Sequence, residues 1–178
     1  MTAHNHEFSE DHIPLAYFIS IRCYGTWLHG DERGSVDRQH NIYGTPFLSR
    51  DEQREYEEFR LLKIPPVELD PARRTVVERA IREVCEYRNW LLRAINVRTN
   101  HVHTVVSADR RPEPVMTTFK TYATRRMIEA GIWQAGKKPW SRHGSTRWLW
   151  NLRSVDRACD YVINCQGEEL PRFDEWTT

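Results

Sequence analysis

No apolar run in this 178-residue chain approaches the roughly 18 residues needed to cross a bilayer, so no membrane-spanning helix and no membrane partner are expected. Cysteine is scarce. Cys23, Cys85, Cys159 and Cys165 lack the close paired spacing of a zinc ribbon or redox dithiol, and reduced core thiols of a cytoplasmic protein are the expectation. A surplus of charge is missing too: 26 basic residues against 25 acidic ones leave a net +1. Residues 1–12 are polar and lack the basic, apolar opening of a leader, so they are read as a flexible tail in which His4 and His6 are solvated. Residues 13–178 then form a single domain with a core of its own, without internal repeats or low-complexity tracts.

The near-zero net charge hides an uneven distribution. Residues 1–70 carry 7 basic and 13 acidic side chains, whereas residues 114–157 carry 9 and 2. In that positive stretch Trp133, Trp140, Trp148 and Trp150 alternate with Lys137, Lys138, Arg142 and Arg147, and Lys120, Arg125 and Arg126 precede them. Unpaired bases stack on aromatic rings while cations follow the phosphates, so these residues are candidates for binding single-stranded DNA. Trp148 and Trp150, two apart on an expected strand, fit a core role equally well.

The chemistry centres on Asn100-His101-Val102-His103. Its β-branched, alternating surroundings favour a strand, and residues two apart on a strand share a face. Both imidazoles can therefore reach one metal ion. Pro112-Glu113-Pro114 then opens a helix that carries Tyr122, about nineteen residues after His103, and whose apolar stripe comprises Val115, Met116, Phe119, Ala123, Met127 and Ala130. Tyr122 lies at the edge of that stripe, and its hydroxyl is expected to emerge where the buried face meets a polar one.

A strand is expected over 15–23, then a long ordered loop to about 48, a capping box from Ser49 to Glu52 and a short charged helix stopped at Pro65-Pro66. Asp70-Pro71 restarts a helix. Strands near 90–98 and 101–108 follow, then the Tyr122 helix, a strand near 146–151 and a helix from Ser154 that Gly167 can cap. The order predicts an α+β fold of the ferredoxin-like, split βαβ kind: an antiparallel sheet with helices packed on one face and the histidine strand central.

These motifs resemble the HUH-type single-tyrosine transposases, in particular the REP-associated tyrosine transposase-like branch found in bacteria. The resemblance rests on Tyr24-Gly25-Thr26-Trp27-Leu28 with Gly30–Gly34, on Asn100–His103, on Phe119–Arg126, on Trp140–Trp150, and on Tyr161-Val162 leading to Gln166-Gly167. It covers most of residues 13 to 170. It implies metal-dependent cleavage and strand transfer of single-stranded DNA, at hairpin-forming repeat ends, through a 5′-phosphotyrosine intermediate. It also implies Mg or Mn held by His101 and His103, with Tyr122 as nucleophile. Bound to DNA, such a protein is nucleoid-associated, and a homodimer is one arrangement the resemblance allows. The amide that many relatives place one turn after the tyrosine is replaced by Arg126, whose guanidinium cannot ligate a cation. Glu129, His143 and Asp37 are the candidate third ligands, and Arg126 is assigned to a phosphate oxygen instead. Two rival readings are a domesticated DNA-binding protein without strand transfer and a metal-dependent phosphoesterase using water.

Overall fold

The computed structural model describes residues 13–28, 50–168 and 170. The expected tail, Asp37 and most of the expected long loop lie outside the described residues. Within them the order is β1 (Ala16–Cys23), α1 (Glu52–Arg60), α2 (Pro71–Arg88), β2 (Leu91–Val97), β3 (His101–Ser107), α3 (Pro112–Glu129), β4 (Trp140–Leu149) and α4 (Leu152–Asn164).

The sheet runs β2-β3-β1-β4 and every neighbouring pair is antiparallel. This is the ferredoxin-like arrangement that the sequence predicts, with β1 and the histidine-bearing β3 in the middle. Alternation along these strands sorts side chains between two faces. Tyr17, Ile19 and Ile21 of β1 join Val102 and Val106 of β3 in the larger core cluster, where α2 supplies Val77, Ile81 and Val84 and α3 supplies Val115, Phe119, Ala123 and Met127. Intervening positions face the other way. Ala16, Ala94, Val105 and Leu149 form a smaller cluster with Val155 and Val162 of α4. Thus α2 and α3 share one face as expected, and α4 lies across the other.

Local sequence explains the helix ends. Asp70 accepts a hydrogen bond from the Arg73 amide at 2.8 Å and Pro71 follows in the first turn, where its missing N–H costs nothing. α2 stops at Asn89, which adopts the left-handed conformation that asparagine tolerates. α1 is capped by Asp51, the expected Ser49 lying outside the described residues, and α4 by Asn151, which accepts from the Ser154 amide at 2.9 Å. That cap starts α4 two residues before the expected Ser154.

β4 begins six residues earlier than expected, and Gly144 permits it. A Cβ there would collide with the Ser20 carbonyl oxygen and the Met116 sulfur, so only glycine lets α3 press onto the β1–β4 pair. Cysteine needs a correction: Cys23 and Cys85 are buried, with burial pushing both thiols up to about 12, whereas Cys159 is half-buried and Cys165 exposed. No described helix is long and apolar enough to cross a membrane.

Candidate active site

His101 and His103 stand side by side on β3, their ring centroids 4.5 Å apart. Their register partners on β1 are Arg22 and Ser20. Ser20 and Asn100 hold the two rings by their Nδ1 atoms. The Ser20 hydroxyl lies 2.8 Å from His103 Nδ1, and Asn100 Oδ1 lies 2.7 Å from His101 Nδ1. A carboxamide oxygen can only accept, so Nδ1 of His101 carries a proton and a neutral His101 presents its Nε2 lone pair. Burial, followed by the charges of His101 and Arg22, pushes His103 down to about 4. His103 is therefore neutral near pH 7, the form that ligates metals.

The tyrosine beside these histidines is Tyr161, and this corrects the sequence expectation. Its ring centroid is 5.8 Å from that of His103, and Phe18 lies edge-on to it at 5.9 Å. Tyr122 instead packs against the larger core with α3, on the opposite face of the sheet. The physical reason is strand alternation: the histidines point away from Val102 and Val106, which face the core shared with α2 and α3. No helix-edge position on α3 shares the histidines' face.

An amide accompanies Tyr161. Gln166, just past the end of α4, places Oε1 3.3 Å from His101 Nε2 while its Nε2 donates to the Tyr161 carbonyl at 3.0 Å. Asn96 donates to the Val162 carbonyl at 2.9 Å, and Arg98 donates to the Glu168 carbonyl at 2.7 Å. These bonds tie the last turn of α4, and the segment after it, to the β2 edge beside the histidines.

The two described candidates for a third ligand, Glu129 and His143, do not join the pair. Glu129 is engaged by Arg125 at 2.8 Å and by Arg126 at 2.9 Å on α3, away from the histidine face, and these partners lower its pKa. His143 contributes its backbone carbonyl to Lys120 and Ser141. Among the described residues no third His, Cys, Asp or Glu joins the pair in a metal-holding group.

The candidate DNA-binding residues divide. Lys120 donates to the carbonyls of Ser141, Arg142 and His143 at 3.0, 3.4 and 3.3 Å, fastening α3 to β4, and burial lowers its pKa. Lys120 therefore has a structural role in joining α3 to β4. Arg126 links α3 to α2 through Glu83 at 2.8 Å as well as holding Glu129. Arg125, Lys137, Lys138 and Arg142 line, together with Lys120 and Glu129, a groove of about 830 Å³ between α3 and the start of β4. Arg147 pairs in register with Phe18, which places it on the histidine face.

The tryptophans are mostly committed. Trp140 is buried and donates to the Lys120 carbonyl, Trp133 donates to the Lys137 carbonyl, and Trp148 lies edge-on to Tyr17. Trp150 is 44% exposed and packs beside Trp148.

The sequence did not point to Tyr161 and Gln166 as neighbours of the histidines, although both sit in the last motif block. The available signal was the amide itself: an amide shortly after a tyrosine occurs at Gln166 and is absent after Tyr122.

A central strand thus carries paired histidines, faced by a helix that bears a tyrosine and is followed by an amide. Residues 69–150 match the model of the family described as Transposase IS200 like. The match runs from just before α2 to just after β4 and includes both histidines, so the resemblance drawn from the motifs is borne out over this stretch. Two solved structures are similar. One is a REP-associated tyrosine transposase bound to a REP hairpin, with 14% identity, 88% of this chain and 69% of that chain covered, and a TM-score of 0.45. The other is a candidate transposase from Deinococcus radiodurans R1, with 14% identity, 92% and 97% covered, and a TM-score of 0.44. No curated protein matches the chain.

Proposed function

We propose that this protein cleaves and rejoins single-stranded DNA, at hairpin-forming repeat ends, with Tyr161 as the nucleophile and a divalent cation, Mg or Mn, held by His101, His103 and Gln166. The observation that carries the reading is the meeting of His101 Nε2 and Gln166 Oε1 at 3.3 Å beside His103 and Tyr161. With Nδ1 protonated towards Asn100, both facing atoms of a neutral His101–Gln166 pair are lone-pair donors. Two such atoms repel unless a proton or a cation lies between them, and a nitrogen-oxygen donor set suits Mg or Mn once water completes it. When bound, that ion supplies Lewis-acid polarisation of a phosphoryl oxygen.

The chain's own residues do the rest. Asn100 and Ser20 fix the imidazole orientations, as partners of ligating histidines generally do. Asn96 and the small α4 cluster hold Tyr161 against His103. The Tyr161 oxygen attacks the phosphorus and forms the new O–P bond, while the P–O3′ bond breaks. The phenolic proton passes through solvent to the departing 3′ oxygen, leaving a 5′-phosphotyrosine and a free 3′-hydroxyl. Bond energy is kept in the adduct, so rejoining needs no nucleotide cofactor. The basic groove and Arg147 are then available to track flanking phosphates.

The test is incubation of labelled DNA hairpins bearing single-stranded flanks with Mn or Mg, followed by denaturing electrophoresis. Wild type and Tyr122→Phe should form a protein–DNA adduct, and Tyr161→Phe should form none. An adduct that survives Tyr161→Phe and disappears in Tyr122→Phe would refute this assignment, and hydrolysis without any adduct would favour water as nucleophile.

A further inference from the structure

β1 presents Phe18, Ser20 and Arg22 in a row opposite Val105, His103 and His101. The first two have evident work: Phe18 packs against the His103 and Tyr161 rings, and Ser20 holds His103. Arg22 completes the row as the register partner of His101, which puts the two Cα atoms about 4.5–5.5 Å apart with side chains on one face. Its guanidinium carbon lies 3.5 Å from the centre of the Trp27 ring.

The turn after β1 is built to bring that indole back over the strand. Gly25 takes a φ of +72° that other residues rarely adopt, and a side chain there would press on Leu62 and Pro66. The Cys23 amide donates to the Asn100 carbonyl at 2.9 Å. Thr26 Oγ1 lies 2.9 Å from the Cys23 carbonyl and 3.3 Å from that of Asn100. The same Asn100 thus orients His101 with its side chain and anchors the Trp27 turn with its backbone. Stacking engages the face of a guanidinium, whereas its five N–H donors lie in the plane and point outward in a fork that matches phosphate oxygens. The Arg22 guanidinium is therefore held against the indole, at the same sheet end as the histidines.

We propose that Arg22, fixed on Trp27, grips a non-bridging oxygen of the phosphate that Tyr161 attacks, which makes it a further catalytic residue and Trp27 its positioning residue. The inference rests on the reading of the histidine site given above. As the Tyr161 oxygen bonds to phosphorus and the 3′ oxygen leaves, negative charge builds on the non-bridging oxygens. A pre-aimed bidentate donor stabilises that charge without reorganising.

The test combines chemistry with binding. In adduct assays Arg22→Ala should slow formation by roughly 10²- to 10³-fold, the usual effect of removing one such donor. Arg22→Lys keeps the charge but not the fork and should recover only part of the rate, while Trp27→Leu should fall between wild type and Arg22→Ala. For binding, Tyr161→Phe protein is titrated with hairpins carrying one neutral methylphosphonate at successive positions of the single-stranded flank. Arg22→Ala in that background should weaken binding of the unmodified hairpin roughly ten- to hundredfold. Its penalty should vanish at one position alone, the one where the adduct maps. A penalty equal at every position, or wild-type adduct rates in Arg22→Ala, would overturn the proposal. The binding scan needs no reaction, so failure of the Tyr161 reading shows as an adduct that survives Tyr161→Phe or as hydrolysis without adduct, while failure of the Arg22 assignment shows as a flat scan.

Discussion

The two faces of the sheet draw on the same strands yet are built for opposite ends. On the α2–α3 face, Tyr17, Ile19, Ile21, Val102 and Val106 are each 0–1% exposed beneath Val77, Ile81, Phe119 and Met127. On the α4 face, the positions in between are Phe18, Ser20, Arg22, His101 and His103, covered by a helix whose only buried residues are Val155 and Val162. Hydrophobic burial scales with area removed from water, so the first face carries the stability. The second can then hold polar, titratable side chains that the fold does not depend on. A one-residue slip of β3 would exchange the two sets, so the packing of the valines in the α2–α3 core is what aims the histidines.

The contrast breaks most severely on the stabilising face. Phe119→Ala removes a fully buried ring that lies edge-on to Trp90, and about 3–5 kcal/mol of stability should be lost in denaturant titration. Tyr161→Phe, on the other face, should change stability by less than about 0.5 kcal/mol while abolishing the adduct. If the two variants were equally destabilised, the division between faces would fail. Gly144→Ala should follow at about 1–3 kcal/mol, because its methyl group meets the Ser20 backbone as well as the flexible Met116 side chain. Moving Ser20 also disturbs the His103 contact, so metal affinity measured by calorimetry should drop in the same variant.

Acid should weaken the functional face selectively. His103 is held at about 4 in the fold against an ordinary value near 6.5, so the unfolded chain binds more protons than the native one between those limits. Stability therefore rises with pH across that window, is fully present above about 6.5, and is lost as pH falls towards 4. For a group only partly shielded from solvent the loss is on the order of 2 kcal/mol. Urea titrations of the metal-free protein at successive pH values should show this slope, and His103→Asn should flatten it. An unchanged slope in that variant would assign the acid sensitivity to another group.

Much of the stabilising face was readable in advance because its signals are periodic. Val77, Ala80, Ile81, Val84 and Cys85 repeat at helical spacing on α2, Asp70-Pro71 marks its start, and the element order specifies the sheet. The histidines were legible for the same reason, since i and i+2 on a strand must share a face. The partner tyrosine was not. Tyr122 and Tyr161 both follow the histidines on helices, and spacing along the chain does not say on which side of a sheet a crossing helix lands. That is decided by handedness and by which strand face is apolar. Val102, Thr104 and Val106 commit the α3 side to the core, and α4 is left with the histidines. The roles of Lys120 and Arg126 escaped for a related reason: a cation's partners, three carbonyls of 141–143 and Glu83, are distant in sequence.

The smallest effect sharpens the comparison most, because it separates positioning from stability on a single side chain. Asn96 faces His103 across the β2–β3 pair, and its amide donates to the Val162 carbonyl one residue beyond Tyr161. Replacing it with alanine removes one half-buried hydrogen bond, for which about 1 kcal/mol is expected in the melting curve. If α4 is held in register by that bond, the adduct rate should fall more than this figure implies, because small misplacements of a nucleophile are costly. Asn96→Asp tests the direction of the bond: a carboxylate cannot donate to the Val162 carbonyl, so it should reproduce the loss despite filling the same volume. A rate that tracks stability alone in both variants would make Asn96 a packing residue and leave Gln166 and the Val155–Val162 cluster to hold Tyr161 in place.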